Sequence, residues 1–214
     1  MNVVSFSFDI ASKKWSLAGL PSNLDSERTL VLVFGPPSML DDSAALSELV
    51  RAFPRSHVIG ASSAGGVQGS AVRDGALVVT VLQFEKTTMS SAHLALGPTV
   101  EAFAAGQSLA KKLSKPSLRG LIVFADGVEV NGAELVRGLN SALDQSVVVI
   151  GGMAADDRAW KRAWVLSGAN AKSGIVAAVG LYGEHVVVAP ATRSGWTPLG
   201  SELVVTKSDR KSVV

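Results

Sequence analysis

Apolar positions along the chain occur either as short continuous runs or at helical spacing. Continuous apolar runs occupy residues 30–34 (Leu-Val-Leu-Val-Phe) and 120–124 (Gly-Leu-Ile-Val-Phe). Such runs are apolar on both faces and predict buried strands of a mixed or parallel sheet. The runs are followed by segments 46–53 and 135–143, in which apolar residues recur every three or four positions. This spacing predicts helices with one buried face, and therefore an α/β domain.

The same order of segments occurs twice. From Val33 to Ile59 is 26 positions (59 − 33), and from Val123 to Ile150 is 27 (150 − 123). Each intervening helix contains Leu-Val-Arg, and a glycine loop followed by another apolar strand comes after each unit. We interpret this as an internal duplication of a strand–helix–strand–hairpin unit, forming mixed sheets with packed helices.

No stretch rich in Pro, Ser or charge separates the two copies, so we expect one pseudo-symmetric domain over residues 1–214. Its expected parts are repeat one (about 30–96), a linking helix (about 99–113), repeat two (about 120–189) and a closing segment (190–214). Asn131, with Glu134 three residues later, predicts the N-cap of the second helix, and Ser38 with Asp41 has capping-box spacing before the first.

Composition narrows the possible functions. The chain contains no cysteine, which excludes disulfides, thiolate nucleophiles and cysteine-ligated metals. A formal net charge of +2, spread over short basic clusters, does not favour nucleic-acid binding. The most apolar stretch, 174–191, is interrupted by Glu184-His185 and by glycines, so we expect no membrane span. Without a signal peptide at the N-terminus, the expected location is cytoplasmic.

The first glycine loop, residues 60–66, has the glycine spacing of a phosphate-binding loop. It lacks the Lys and Ser/Thr of that motif, because Gly66 and Val67 stand there. Two interpretations remain open. The glycines simply permit tight turns, or the amides of Gly65-Gly66 and the hydroxyls of Ser62 and Ser63 hold a small ligand.

The second glycine loop, 151–157, carries Gly152 and Asp156, and Asp126 follows the first strand of repeat two. Ligands of α/β sheets bind beyond the carboxyl ends of strands, so we expect both loops to face one cleft. Solvated carboxylates are the alternative. The segment 193–200 contains Arg193 and Trp196 and is typical either of a lid over a pocket or of a structural plug.

The three histidines show no metal-binding spacing, so we predict no metal. No nucleophile-elbow motif is present. A hydrolase or transferase with Ser62 or Ser63 as nucleophile is kept as an alternative to a non-enzymatic binding domain.

Several of these segments resemble the N-terminal FIST domain, a domain of intracellular signal transduction proteins that are chiefly bacterial. The matching residues are Val33-Phe34, Ile59-Gly60 to Gly65-Gly66, Ile150-Gly151-Gly152 with Asp156, Trp164-Val165-Leu166, 179–183 and, most specifically, Gly-Trp-Thr-Pro-Leu-Gly at 195–200. The resemblance implies a cytoplasmic sensory domain that binds a small ligand such as an amino acid.

Some members bind haem and respond to nitric oxide, so a haem sensor using His57, His93 or His185 is a second alternative; otherwise we predict no cofactor. Many members carry Cys and Glu where this chain has Ala61 and Gly66. The family usually continues into a C-terminal FIST domain. Since this chain stops at Val214, we expect it to be a fragment whose partner is that domain or a downstream signalling protein.

Overall fold

The computed structural model describes residues 1–96, 101–156, 161–191, 197, 199–200, 204 and 206. These residues form strands and helices in the order β1 (Asn2–Asp9), β2 (Lys14–Trp15), β3 (Thr29–Gly35), α1 (Ala44–Ala52), β4 (His57–Ser62), β5 (Gly66–Gln68), β6 (Ala71–Arg73), β7 (Ala76–Gln83), β8 (Thr88–Ala95), α2 (Ala102–Leu113), β9 (Leu118–Asp126), α3 (Gly132–Ala142), β10 (Val148–Ala154), β11 (Val165–Ser167), β12 (Asn170–Lys172) and β13 (Ile175–Tyr182).

The strands form two large mixed sheets and one small hairpin. The seven-stranded sheet has the order β12-β11-β4-β3-β7-β1-β2, and the four-stranded sheet has the order β10-β9-β13-β8. In the first, β3 pairs parallel with β4 and antiparallel with β7. In the second, β9 pairs parallel with β10 and antiparallel with β13. The predicted α/β class with mixed sheets is confirmed.

The alternation of side chains along the central strands produces four layers. Val31 and Val33 of β3 pack in the cluster beneath α1, whereas Leu30 faces the other sheet. In β9, Leu121 and Val123 pack beneath α2 and α3, and the intervening residues face inward. The layers are therefore α1, the seven-stranded sheet, the four-stranded sheet, and the α2–α3 pair.

In each half, a glycine allows two parallel strands to approach each other closely. Gly60 lies opposite Val33, and Gly151 lies opposite Val123. A Cβ on Gly60 would lie 2.1 Å from the Val33 carbonyl oxygen, and one on Gly151 would lie 1.8 Å from that of Val123. Only glycine permits this approach in either half. Duplication of one unit remains our interpretation of these parallels.

Two predicted helix starts differ in outcome. Asn131 caps α3, since its side chain accepts a hydrogen bond of 3.2 Å from the Glu134 amide. The capping box of Ser38 and Asp41 does not form, because 37–40 is a separate 3-10 helix and α1 begins only after Ser43. The linking helix begins at Ala102, and its expected start at 99 lies outside the described residues.

The halves differ in how their outer strands are covered. The β11–β12 hairpin extends the seven-stranded sheet beyond β4, with Leu166 opposite Gly60. The β5–β6 hairpin instead forms a sheet of its own. Among the described residues, β10 pairs with β9 on one side and with no strand on the other. No helix of the described part of the chain is long and apolar enough to cross a membrane.

Candidate functional site

The two glycine loops meet where the parallel strands of both sheets end. The amide of Ala155, just after β10, donates a hydrogen bond of 2.8 Å to the carbonyl oxygen of Ser62, the last residue of β4. We call the region around this bond the seam. Because it joins the carboxyl ends of strands from two sheets, it brings residues of both halves together.

Ser62 belongs to the framework of the seam. It is 3 % exposed, and its hydroxyl accepts a hydrogen bond of 3.0 Å from the Trp164 amide. The amide of Ser62 in turn donates to the Trp164 carbonyl oxygen at 2.8 Å. The hydroxyl is therefore engaged by the backbone on the approach to β11 and does not face solvent.

The loop after Ser62 carries the more accessible groups. The Ser63 amide donates a hydrogen bond of 2.8 Å to the Gly35 carbonyl oxygen. The Ser63 hydroxyl donates one of 2.7 Å to the Gly65 carbonyl oxygen. Ser63 is half-buried and Gly65 is exposed. Gly66 is buried, and a Cβ there would lie 2.5 Å from Val78 Cγ2. The loop thus presents Ser63 and Gly65 to solvent, while Gly66 packs against β7.

Asp126, at the end of β9, is fully buried. Its Oδ1 accepts hydrogen bonds from the amides of Val128 at 2.8 Å and Glu129 at 3.1 Å. Its Oδ2 accepts from the Gly174 amide at 2.8 Å. This carboxylate holds the turn before α3 to the turn before β13, and its role as a ligand contact stays a prediction.

Charged groups at the seam include Asp156, Arg162 and Asp41. Asp156 Oδ2 accepts from the amides of Lys161 and, at 3.0 Å, Arg162. The Arg162 guanidinium makes a two-pronged ion pair with Asp41, with Nη1–Oδ1 at 2.7 Å. This contact lowers the pKa of Asp41 and raises the pKa of Arg162, to which Asp156 also contributes. All three side chains reach solvent at least partly.

Sequence analysis missed Arg162 and Asp41 as site residues. The two residues are 121 positions apart in the chain. The only sequence signal was the basic cluster around Arg162, which solvated surface charge explains equally well.

Gly152 lies outside the seam. It is on β10, where it lines a groove of about 530 Å³ between that strand and α3. Arg193 and Trp196 lie outside the described residues, so their predicted closing role stays a prediction.

The histidines lie away from the seam. His57 Nδ1 shares a hydrogen bond of 2.6 Å with the Ser91 hydroxyl, and His93 Nδ1 shares one of 3.2 Å with that of Ser167. Burial lowers the pKa of His57. No group of three metal-ligating side chains occurs among the described residues. Haem binding by a histidine stays a prediction.

The chain was also compared with known proteins. Residues 29–214 match the model of the FIST N domain, a sensory and non-catalytic domain of signal transduction proteins. No curated protein sequence matches the chain.

Proposed function

Because the chain belongs to the FIST N domain family of sensory domains, we propose that it senses a small polar ligand, for example an amino acid, at the seam. The observation that carries the proposal is the hydrogen bond between Ala155 and Ser62, which brings charged residues of both halves together beside an accessible glycine loop. A cytoplasmic location is part of the same proposal.

The charges at the seam suit a ligand that carries both a carboxylate and an ammonium group. The planar guanidinium of Arg162 can bind a carboxylate through two parallel hydrogen bonds, as it binds Asp41. The carboxylate of Asp156 also acts on the Arg162 guanidinium and would attract the ammonium group. Ser63 and Gly65, in the exposed loop after Ser62, would form the neighbouring wall. Ser62, Gly66 and Asp126 support this arrangement from within the fold.

Ligand binding would also change the protein. The ion pair of Arg162 and Asp41 lies at the surface, where such pairs contribute little to stability. A ligand carboxylate can therefore replace that of Asp41. Asp41 lies between the 3-10 helix 37–40 and α1, so its release frees this connection to move. A C-terminal FIST domain or a downstream signalling protein would detect that shift in population.

A panel of amino acids tested for thermal stabilisation examines the proposal. A specific ligand at 100 times its dissociation constant adds about 2.7 kcal/mol to the free energy of unfolding. For a chain of this length, that corresponds to a rise in Tm of roughly 5–11 °C. If no member of the panel raises the Tm, the proposal fails.

Two substitutions at the seam have opposite expected effects. Arg162→Gln removes the guanidinium that would bind the carboxylate of the ligand and is expected to weaken ligand binding about tenfold. Asp41→Asn removes the carboxylate that competes for Arg162 and is expected to strengthen ligand binding. Arg137→Gln breaks a similar exposed pair with Glu134 on α3 and serves as the control that leaves the affinity unchanged. Calorimetry with the stabilising amino acid measures all three, and equal affinities throughout would contradict the proposed site.

A further inference from the structure

The groove between α3 and β10 is apolar and open to solvent. Its described lining residues include none that is charged. Val136 of α3 and Met153 of β10 contribute to it and are 46 % and 42 % exposed. Within the part of the chain that the structure describes, no strand pairs with this side of β10. An unpaired strand edge beside apolar side chains favours the addition of another strand.

The other half of the molecule shows what fills the corresponding space. There, β11 pairs antiparallel with β4 and places Leu166 opposite Gly60. The side chains of Leu166 and Trp164 are buried in one cluster with Leu49 and Phe53, on the side of α1. An added strand therefore closes this space with large apolar side chains.

Each wall of that filled space has a counterpart in the open groove. The counterpart of Gly60 is Gly151, since each lies opposite the equivalent valine of its sheet. The counterparts of Leu49 and Phe53 are Leu135 and Leu139, which line the groove. The groove is therefore equivalent to the space occupied by Trp164 and Leu166, and no described residue fills it.

We propose that a second copy of this chain docks on this edge, with its β10 antiparallel to the first and Gly152 opposite Gly152 of the second copy. In this register, Met153 of the second copy lies opposite Gly151, as Leu166 lies opposite Gly60. Residues opposite each other on neighbouring strands share one face of the sheet. Met153 lies on the α3 face, because its Sδ would be 2.9 Å from a Cβ placed on Gly132. Its counterpart in the second copy therefore enters the groove.

The chain is suited to pair with itself at this edge. Because the two copies are related by a two-fold axis, each copy supplies one Met153 and one Gly151, and the two Met153 side chains fill both grooves. The described residues of the lining carry no charge, so two identical surfaces do not repel each other there. Among the residues that the structure describes, no atom lies within 4 Å of a Cβ placed on Gly152, which leaves room for a neighbouring strand at the centre of the contact.

Cysteine crosslinking tests the register directly, since the chain has no cysteine of its own. In Gly152→Cys, the two new thiols face each other across the axis and are expected to form a covalent dimer rapidly under mild oxidation. Val72→Cys, on the exposed β6 strand, is the matched control and is expected to crosslink slowly. Equal crosslinking rates for the two variants would overturn the proposed contact.

Sedimentation of uncrosslinked protein provides the second measurement. The wild-type chain is expected to be a dimer that dissociates on dilution, and Met153→Lys is expected to be monomeric because it places two charges in the apolar contact. Val72→Lys, which changes a similarly exposed apolar residue elsewhere, should remain a dimer. A wild-type monomer at every concentration would show that the chain does not pair with itself at this edge, and the proposal would be wrong.

Discussion

Substitution of Asp126 by Asn distinguishes a structural role of this carboxylate from a ligand contact. The buried side chain accepts three backbone hydrogen bonds, two at Oδ1 and one at Oδ2 from Gly174. Asparagine has one oxygen, so its amide group must face either the amide of Gly174 or those of Val128 and Glu129. At least one of these partly buried N–H groups then loses its acceptor.

The expected cost follows from these bonds. A hydrogen bond to a charged group contributes about 1.5–3 kcal/mol, and a buried donor left without a partner costs a further 1–3 kcal/mol or so. We therefore expect Asp126→Asn to lower the free energy of unfolding by about 3 kcal/mol or more. For a chain of this length, about 3 kcal/mol corresponds to a fall in Tm of roughly 6–12 °C.

Urea unfolding followed by circular dichroism, with a thermal scan, measures the change. The matched control is Asp144→Asn, because Asp144 also accepts from a backbone amide two residues later, that of Ser146, but at the exposed surface. We expect the control to change the Tm very little. If Asp126→Asn is as stable as the control and only ligand binding is lost, the structural role is refuted and the carboxylate contacts ligand.

Further predictions concern helix packing and pH. Gly138→Ala should lower stability by about 1–3 kcal/mol through overpacking, because its Cβ would lie 2.0 Å from the Phe103 carbonyl oxygen of α2. Gly132→Ala in the same helix meets only the flexible Met153 side chain and should be nearly neutral by the same urea assay. Burial lowers the pKa of His57 below its usual 6.5, so the unfolded chain takes up the proton first and stability falls as the pH drops below about 6.5. His57→Asn should flatten this pH dependence of Tm. An unchanged slope of Tm against pH would contradict the role assigned to His57.

Local patterns in the sequence determined most of the elements. The apolar runs at 30–34 and 120–124 became β3 and β9, because a strand apolar on both faces must be covered on both sides. Asn131 caps α3 as predicted, since a cap depends only on residues three positions apart. The Ser38–Asp41 prediction was wrong because residues 37–40 form a separate 3-10 helix and α1 begins only after Ser43. The Asp41 carboxylate pairs with Arg162, far along the chain.

Only part of the candidate site could be predicted from the sequence. The two glycine loops could be expected to meet, because the carboxyl ends of parallel strands gather at one edge. Whether a side chain there faces solvent depends on distant residues. Asp126 is buried because the turn at Gly174, 48 positions later, covers it. Ser62 is occupied because the amide of Trp164 reaches its hydroxyl.

The sequence by itself therefore determined the order and type of the elements, and the glycines at which two strands approach closely. Only the tertiary structure decided that the β11–β12 hairpin covers β4 while β10 stays open among the described residues. Both hairpins have similar turn-and-strand patterns, and such patterns do not specify which sheet edge a hairpin joins. That choice depends on the side chains that each edge can bury, such as Trp164 and Leu166 beneath α1, and these contacts exist only after the two sheets have packed.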